Sequence, residues 1–264
     1  MSTEPTGLTE EQRYRFDCDG YLVVEDVLSD EEVDALNRLV DERDLPEPSA
    51  ETGGSRRFQE FLSWGEPFRD LLDHDLVMGV LRDLLGDGFR LDHYYGIYLD
   101  AGADPLVLHG GGTPYDPAQF YHSQHGNQYN GLTVVTWNLT DSGGDHGGFC
   151  CVPGSHEANF ECPESVSEAV GSATRLSDLP DPVVVPEAPA GSMTVFTEAL
   201  THGTAPWVAD HQRRSLLYKY SPGHMSWADN FPEPPDGVSL SERQELLFEP
   251  PHVYRRESLF GDEE

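Results

Sequence analysis

The feature that most restricts the fold is a change of pattern near residue 89. From there to about residue 220, short segments rich in β-branched and aromatic residues alternate with Gly, Pro and Asp turns. The predicted strands are 89–99, 131–139, 148–152, 183–186, 192–197 and 214–220. No helical pattern is interleaved between them, which disfavours a parallel α/β sheet and favours an antiparallel sandwich or barrel. A double-stranded β-helix, the cupin-like jelly roll, fits this number of strands and accepts polar residues that face inward.

Helical signals fill the chain before this change. Capping boxes begin at Thr9 and at Ser29, and the second is followed by apolar residues at helical spacing. A short strand is predicted between these two helices, then a polar loop at 43–57 and more helix at 58–85. A last helix is predicted after Ser239. We therefore expect one mainly β domain over residues 1–264, with an N-terminal helical layer at 1–88, a jelly-roll core at 89–220 and a C-terminal loop and helix at 221–264.

The chain is strongly acidic, with 48 acidic and 16 basic side chains and a net charge of −32. A charge of this sign argues against nucleic acid or an anionic membrane as a partner, because phosphate contacts need a basic face. Lys219 is the only lysine. Abundant carboxylates with almost no lysine predict a halophilic source, where high ionic strength screens self-repulsion. The N-terminal sequence lacks the basic and apolar regions of a signal peptide, and we expect a cytoplasmic protein.

Histidine is the residue type that points to chemistry. Four of the eleven lie in or beside the strand region: His109, His122, His156 and His202. His122 and Gln124 are two residues apart, so on a strand their side chains project to the same side. An HxD pair at this spacing, with a distant histidine, forms the two-His-one-carboxylate face of non-haem Fe(II) oxygenases, which leaves positions open for a cosubstrate and O₂. In this chain a glutamine stands where the carboxylate would be.

A second set of candidates lies where the last predicted strands meet. His202 follows one strand, and Arg213, eleven residues later, begins the next. A turn between antiparallel neighbours would bring both into one barrel, where an arginine can bind a carboxylate through two hydrogen bonds. The alternative for Arg213 is a buried guanidinium paired with internal acids.

Several motifs in order make the chain resemble the phytanoyl-CoA dioxygenase (PhyH-like) family of Fe(II)/2-oxoglutarate oxygenases. The matching segments are 8–12, 19–24, 27–33, 147–156 and 200–203, followed by 213–215. The most specific is the Gly-Gly-x-x-x-Val-Pro-Gly-Ser-His block with a later His-x10-Arg. The resemblance implies a jelly roll that uses Fe(II), O₂ and 2-oxoglutarate to hydroxylate a small organic substrate. It implies that His122 and His202 bind iron, that Arg213 anchors 2-oxoglutarate, and that His156 shapes a turn.

Gln124 departs from the family pattern, because a neutral amide supplies no charge to a dication. One possibility is that Gln124, or a water that it holds, fills the carboxylate's position. Another is that a carboxylate from elsewhere does so, and Glu198, four residues before His202, is the nearest candidate. Outside the oxygenases, the alternatives are a binding module on the same fold that has lost its iron, or a cupin-like metal protein with different chemistry.

A third possibility places the first metal ligand at His109, in the sequence His109-Gly110-Gly111. HxG is the arrangement of the related non-haem iron halogenases, in which a halide takes the place of the missing carboxylate. Of the two histidines, His122 ranks slightly ahead of His109. The long loops at 100–120 and 221–230, the second with His224 and Trp227, are expected to shape the substrate pocket.

Overall fold

The computed structural model describes residues 7–111, 116–125, 127–254 and 256–261. The strands in this part of the chain are β1 (Tyr21–Val24), β2 (Ser55–Phe58), β3 (Arg90–Leu99), β4 (Leu106–His109), β5 (Tyr121–Gln124), β6 (Asn127–Asn130), β7 (Thr133–Asn138), β8 (Gly148–Cys151), β9 (Met193–Thr197), β10 (His202–Ala205) and β11 (Arg213–Ser221). The α-helices are α1 (Glu10–Asp19), α2 (Asp30–Asp41), α3 (Glu66–Asp70), α4 (Asp75–Leu85), α5 (Glu164–Ser172) and α6 (Glu242–Leu247). Within the described ranges, none of the helices is long and apolar enough to cross a membrane.

Two antiparallel sheets form the framework. The larger sheet has the strand order β1-β9-β7-β11-β3-β2, and the smaller has the order β4-β10-β8. Strands β5 and β6 form a separate two-stranded hairpin. Cys151 of the smaller sheet packs with Val134, Phe196 and Leu217 of the larger one, so the two sheets enclose a common interior. This mainly β, antiparallel arrangement is the predicted jelly roll.

Strand β11 shows how the larger sheet separates that interior from a second core. Tyr218 and Tyr220 point to the helical layer. Their hydroxyls donate hydrogen bonds to the backbone carbonyls of Phe68 and Leu72. Successive side chains of a strand point to opposite faces. The alternate residues, which are all buried and face the space between the sheets, are Arg213, Ser215, Leu217 and Lys219.

The stretch 58–85, which was predicted to be helical, is helical only in part. The chain there forms the end of β2, a short 3-10 turn, and the separate helices α3 and α4, with Gly65 and Pro67 at the start of α3. Strand β2 joins the edge of the larger sheet beside β3. Phe58 packs over Gly96 of β3, where an added Cβ would lie 2.1 Å from its ring. This contact is between residues far apart in sequence, so local periodicity could not reveal it.

The structure differs from the predicted elements in three other places. Residues 183–186 form only an isolated bridge between Val184 and Cys151, and the flanking prolines have no N–H to donate to a ladder. Strand β4 forms within the loop predicted at 100–120, and β10 forms where a turn was predicted. Strands β5 and β6 lie outside the predicted strand ranges. The last helix begins after Ser241 rather than Ser239, because Ser241 and Gln244 form the capping box.

Candidate active site

Two histidines of the smaller sheet lie next to each other with their rings tilted by 52°. His109 ends β4 and His202 begins β10, and the antiparallel register pairs them directly. Their ring centroids are 4.3 Å apart. His202 is buried, with the rings of Phe149 and Phe196 beside it at 6.2 and 4.8 Å, whereas His109 is exposed. The pair therefore has one imidazole in the interior and one at its opening.

Both imidazoles present the same nitrogen. Nδ1 of His109 lies 3.1 Å from the carbonyl oxygen of Val107, and Nδ1 of His202 lies 2.7 Å from that of Leu200. A carbonyl oxygen only accepts, so Nδ1 carries a hydrogen in each ring, and Nε2 is the nitrogen that is left to face a metal. Burial lowers the pKa of His202 to about 4, against the opposing effect of Glu198, so this ring is neutral at pH 7. Neutral imidazoles fixed through Nδ1 in this way suit metal coordination through Nε2.

A buried ion pair lies beside His202. Glu198, in the turn after β9, has its Oε2 3.8 Å from Nε2 of His202 and its Oε1 2.5 Å from Nζ of Lys219. Burial by itself would raise the pKa of the Glu198 carboxyl, but Lys219 and His202 outweigh it and lower that pKa to about 2. The carboxylate is therefore ionised, and its second oxygen faces the nitrogen of His202 that is free to bind a cation.

Glycines shape the backbone that follows His109. Gly110 and Gly111 have φ angles of 80° and 85°. A Cβ at Gly110 would lie 2.9 Å from Nδ1 of His202, so a larger residue would collide with the ring. Gly111 takes the position of the carboxylate in an HxD motif, and Glu198 is the carboxylate that lies next to the pair. In the described part of the chain, no three His, Cys, Asp or Glu side chains form a complete metal-ligand group.

A buried cation whose Nε lacks an acceptor lies in the same interior. Arg213 is 5% exposed, and neither its Nε nor the Oγ of Ser215 has a hydrogen-bond partner among the described residues. Burial lowers the pKa of Arg213 to about 10, so the guanidinium stays charged at pH 7. Gly148 of β8 leaves space beside it, since an added Cβ would lie 3.2 Å from Nε. Buried donors of this kind that lack an acceptor fit a small carboxylate ligand.

The structure does not bring His122 and Gln124 to this pair. Both are exposed on β5, which pairs with β6 in the separate hairpin. The ring of His122 stacks on Tyr129 at 5.3 Å between centroids. The geometry favours His109 over His122 as the partner of His202, because the strand that pairs with β10 at this point is β4 and its end is His109.

One wall near the ion pair is built from stacked rings. Trp227 stacks on His93 at 5.2 Å between centroids, and His93 stacks on Tyr95 at 6.2 Å. Nζ of Lys219 lies 5.6 Å from the ring of Tyr95 and 6.0 Å from that of Trp227. Trp227 is 49% exposed, so its ring has a face open to solvent close to the buried ion pair. His224 is exposed on the same loop.

Asp92 holds that loop in place. Its carboxylate is fully buried and accepts hydrogen bonds from the hydroxyls of Ser221 and Ser226, from the backbone N–H of Trp227 and from that of Ala228. It also lies 2.7 Å from Nδ1 of His93 and 3.4 Å from Arg90. Burial alone would raise the pKa of Asp92, but His93, Trp227 and Ser221 outweigh it and hold that pKa well below its usual range.

The Asp92→Asn substitution is expected to destabilise the protein by about 3–5 kcal/mol at neutral pH, because it leaves the buried Arg90 without its carboxylate. The pKa of Asp92 is lower in the folded chain than in the unfolded chain. The stability that the ionised carboxylate contributes is therefore fully present above the pKa of the unfolded chain, and it is lost as pH falls toward the pKa of the folded chain. The difference from wild type should therefore shrink below about pH 4. Urea denaturation at several pH values measures it. The exposed Asp236→Asn is the control, and an equal loss in both variants would contradict this role.

His156 has a structural position. Its Nε2 lies 3.0 Å from the carbonyl oxygen of Asp17 at the end of α1, and its ring contacts that of Tyr121 at 4.6 Å. Gly20 passes beneath it, where an added Cβ would lie 2.6 Å from Nδ1. His156, the last residue of the Pro-Gly-Ser-His block, thus holds the end of α1 against this turn. The resemblance found in the sequence implied such a turn-shaping role.

Ser215, Lys219 and Asp92 were not among the residues selected from the sequence. A signal for the first two was present, because they lie two and six residues after Arg213 in one strand and so share its face. The position of Lys219 as the only lysine of the chain is a second signal. Nothing local distinguishes Asp92 from the other acidic residues, because the loop that donates hydrogen bonds to it is far away in sequence. Trp227, for example, lies 135 residues after Asp92.

Several known proteins are similar to this chain. HygX from Streptomyces hygroscopicus, solved with nickel and 2-oxoglutarate bound, has a TM-score of 0.72 at 25% identity, over 89% of this chain and 96% of that one. HygX with nickel, 2-oxoglutarate and hygromycin B bound has a TM-score of 0.70 at 27% identity, over 83% and 89%. Dioxygenase af480 from Aspergillus fumigatus is 25% identical over 247 residues, which are 86% of this chain and 73% of the relative.

The shared fold also extends to more distant proteins. The epimerase SnoN from nogalamycin biosynthesis has a TM-score of 0.59 at 20% identity, over 81% of this chain and 83% of that one. The fold is thus the cupin-like jelly roll found in non-haem iron oxygenases. Residues 16–215 match the phytanoyl-CoA dioxygenase (PhyH) family. The chain belongs to this family, which confirms the resemblance found in the sequence.

Proposed function

We propose that this protein is a non-haem Fe(II)- and 2-oxoglutarate-dependent dioxygenase that hydroxylates a small organic substrate. The observation that carries the proposal is one shared interior. It contains two imidazoles that present Nε2 and, on the facing strand, the Nε of Arg213 and the Oγ of Ser215, which are buried without a hydrogen-bond partner among the described residues. A binding module without catalytic activity would have no need for both the pair of imidazoles and the buried arginine and serine. HygX, with nickel and 2-oxoglutarate bound, supports the same cofactor pair here.

In this proposal His109 and His202 would hold the iron. Glu198 is the candidate for the carboxylate that Gly111 cannot supply, although the described residues form no group of three metal ligands as they stand. A donor set of two imidazoles and one carboxylate is the one that non-haem Fe(II) oxygenases use. When bound, iron and 2-oxoglutarate together supply the activation of O₂, with conversion of 2-oxoglutarate to succinate and CO₂ and of a C–H bond to C–OH. Phe149 and Phe196 exclude water from the inner side of His202.

Arg213 and Ser215 would bind the carboxylate of 2-oxoglutarate that is distant from the metal. A guanidinium offers two parallel N–H donors to a carboxylate, and burial strengthens such a pair. Both side chains already lie in a desolvated position, so binding replaces missing hydrogen bonds instead of breaking existing ones. This gain favours the dianion over a neutral molecule of the same shape.

The substrate would lie against the ring wall of Trp227, His93 and Tyr95. The open face of Trp227 offers a flat apolar surface on which a ring of the substrate can stack. The net charge of −32 favours a neutral or cationic metabolite over a polyanionic CoA thioester. The HygX structure with hygromycin B bound is in line with a small-molecule substrate of this kind.

The proposal is tested by adding Fe(II) and then 2-oxoglutarate to the metal-free protein under anaerobic conditions. A visible charge-transfer band at one iron per chain is expected, followed by succinate formation on admission of O₂. Glu198→Gln should reduce iron affinity by more than about tenfold, since it removes a charged ligand. No band and no retained iron in wild type would leave the binding module as the better interpretation.

One observation favours a second candidate, a halogenase-like enzyme. Gly111 leaves no carboxylate next to His109 in sequence, as in the HxG arrangement in which a halide binds the metal. If this is the chemistry, Glu198→Gln will keep its iron and chloride will shift the band of the wild type. If Glu198 is the ligand, chloride will have no effect on the band.

A further inference from the structure

Strand β3 has a β-bulge at Asp92, beside the ring wall. The register with β11 pairs His93 with Lys219 and Leu91 with Tyr220, which leaves Asp92 as the extra residue. A bulge re-aims the side chains around it, and bulges are frequent next to active sites. At this bulge, Oδ1 of Asp92 lies 2.7 Å from Nδ1 of the next residue, His93. The irregular backbone thus builds an Asp–His pair.

This pair fixes the orientation of the imidazole. Asp92 is ionised, and a carboxylate only accepts, so Nδ1 of His93 carries the hydrogen of their bond. Two rings stack on the imidazole, that of Tyr95 at an interplanar angle of 13° and that of Trp227 at 27°. Among the described residues, the hydrogen bonding of this ring engages Nδ1 alone, and the side chain is 20% exposed. Nε2 is therefore left to meet a ligand at the wall.

The imidazole lies on the same side of the sheet as the candidate active site. His93 and Lys219 are directly opposite each other in the register, so their side chains share one face of the larger sheet. Lys219 contacts Glu198, which in turn lies beside His202. A molecule that stacks on the open face of Trp227 would therefore be placed next to both His93 and this interior.

The charges at the wall indicate which chemical group would bind there. Cζ of Arg57 lies 5.3 Å from the centre of the Tyr95 ring, and Nζ of Lys219 lies 5.6 Å from it. Two cations on one ring disfavour a third, so an ammonium group of a ligand is a poor fit. A neutral imidazole that carries its hydrogen on Nδ1 accepts through Nε2. The group that suits this position is an uncharged donor, a hydroxyl.

We propose that His93 is a substrate-binding residue that accepts a hydrogen bond through Nε2 from a hydroxyl group on a ring stacked against Trp227. The inference rests on the proposed function, because it assigns the ring wall to the substrate, and it names the substrate class as a neutral alcohol that contains a ring. Asp92 is the positioning residue in this arrangement, since it determines which nitrogen of His93 faces the ligand.

The test uses para-fluorophenol and para-fluoroanisole, which differ in that a methyl group replaces the hydroxyl hydrogen. Fluorine NMR titrations of the metal-free protein in weakly alkaline buffer measure the two affinities. Wild type is expected to bind the phenol about fivefold more tightly, because only the phenol donates to Nε2. His93→Phe retains a flat ring without the acceptor, so the ratio of affinities should fall to about one. Trp227→Ala should weaken both probes and keep the ratio.

A merely structural role for His93 gives a different pattern, in which His93→Phe weakens both probes equally and keeps the ratio. That result, or a wild type that binds neither probe or both equally, would overturn the proposal. If His93→Phe does not fold, the Nε2 resonance in isotopically labelled wild type gives the answer, because the phenol must shift it and the anisole must not. His122→Phe, which changes an exposed histidine stacked on Tyr129, is the control and should leave the ratio unchanged.

The use of metal-free protein separates this inference from the proposed function. A normal Fe(II) and 2-oxoglutarate band without a preference for the phenol would count against His93 alone. A preference for the phenol without the band would count against the dioxygenase and would leave His93 as the ligand-binding residue of a binding module.

Discussion

Replacing His202 or His109 with alanine is expected to abolish stoichiometric binding of Fe(II), whereas replacing His122 with alanine leaves it intact. The two rings lie 4.3 Å apart and each has Nε2 free to bind a metal. Loss of groups outside the ligand shell already costs ten- to a hundredfold in metal affinity, so loss of an imidazole ligand should cost more than about a hundredfold. Equilibrium dialysis with Fe(II) or cobalt(II) measures the effect.

His122→Ala is a matched control because it removes the same side chain from a motif with the same type of spacing. It lies exposed on the hairpin, so the fold should tolerate its loss. Thermal melting of the three variants separates loss of the metal from loss of structure. Weakened binding in His122→Ala with normal binding in His109→Ala would restore the sequence-based ranking and contradict the geometry.

Arg213→Met is expected to reduce the affinity for 2-oxoglutarate by more than about a hundredfold, or about 3 kcal/mol, while iron affinity is unchanged. The guanidinium is the buried cation whose Nε has no acceptor among the described residues, and the ligand's carboxylate would supply one. Without 2-oxoglutarate, methionine also relieves the cost of burying an incompletely bonded charge. The melting temperature of the ligand-free variant should therefore not fall. The anaerobic visible band measures the first effect and calorimetry the second.

Arg214 offers the control at the next position of the same strand. It faces the other side of the sheet, where it contacts Asp41 and Asn37 of the helical layer. Arg214→Met should lower the melting temperature and leave 2-oxoglutarate affinity unchanged. If Arg214→Met weakened 2-oxoglutarate binding as much as Arg213→Met, the effect would come from net charge and not from a site in the interior.

Much of the fold could be predicted from local patterns. The capping boxes at Thr9 and Ser29 form as expected, because their hydrogen bonds join residues only three apart. The mainly β class and the family were also correct, since strand periodicity and the order of the motifs are properties of the chain itself. The cytoplasmic location rests on the N-terminal sequence and the halophilic source on composition, and both stay predictions.

The candidate site was only partly predictable. His202 and Arg213 were selected by their spacing, which a strand, a turn and a neighbouring strand can translate into proximity. The choice between His109 and His122 could not be made in this way, because both lie near glycines in segments of uncertain structure. It depended on which strand pairs with β10, and that pairing is set by packing over long sequence separations.

The sequence by itself thus determined the helices with local caps, the antiparallel β class, the family and two of the site's residues. Only the tertiary structure decided that His109 meets His202, that Glu198 lies between His202 and Lys219, and that Asp92 pins the loop of Trp227. The physical reason is the range of the interactions. Caps and periodicities join residues within one or two turns, whereas a site in a jelly roll is assembled from strand ends whose neighbours are chosen by sheet register and burial.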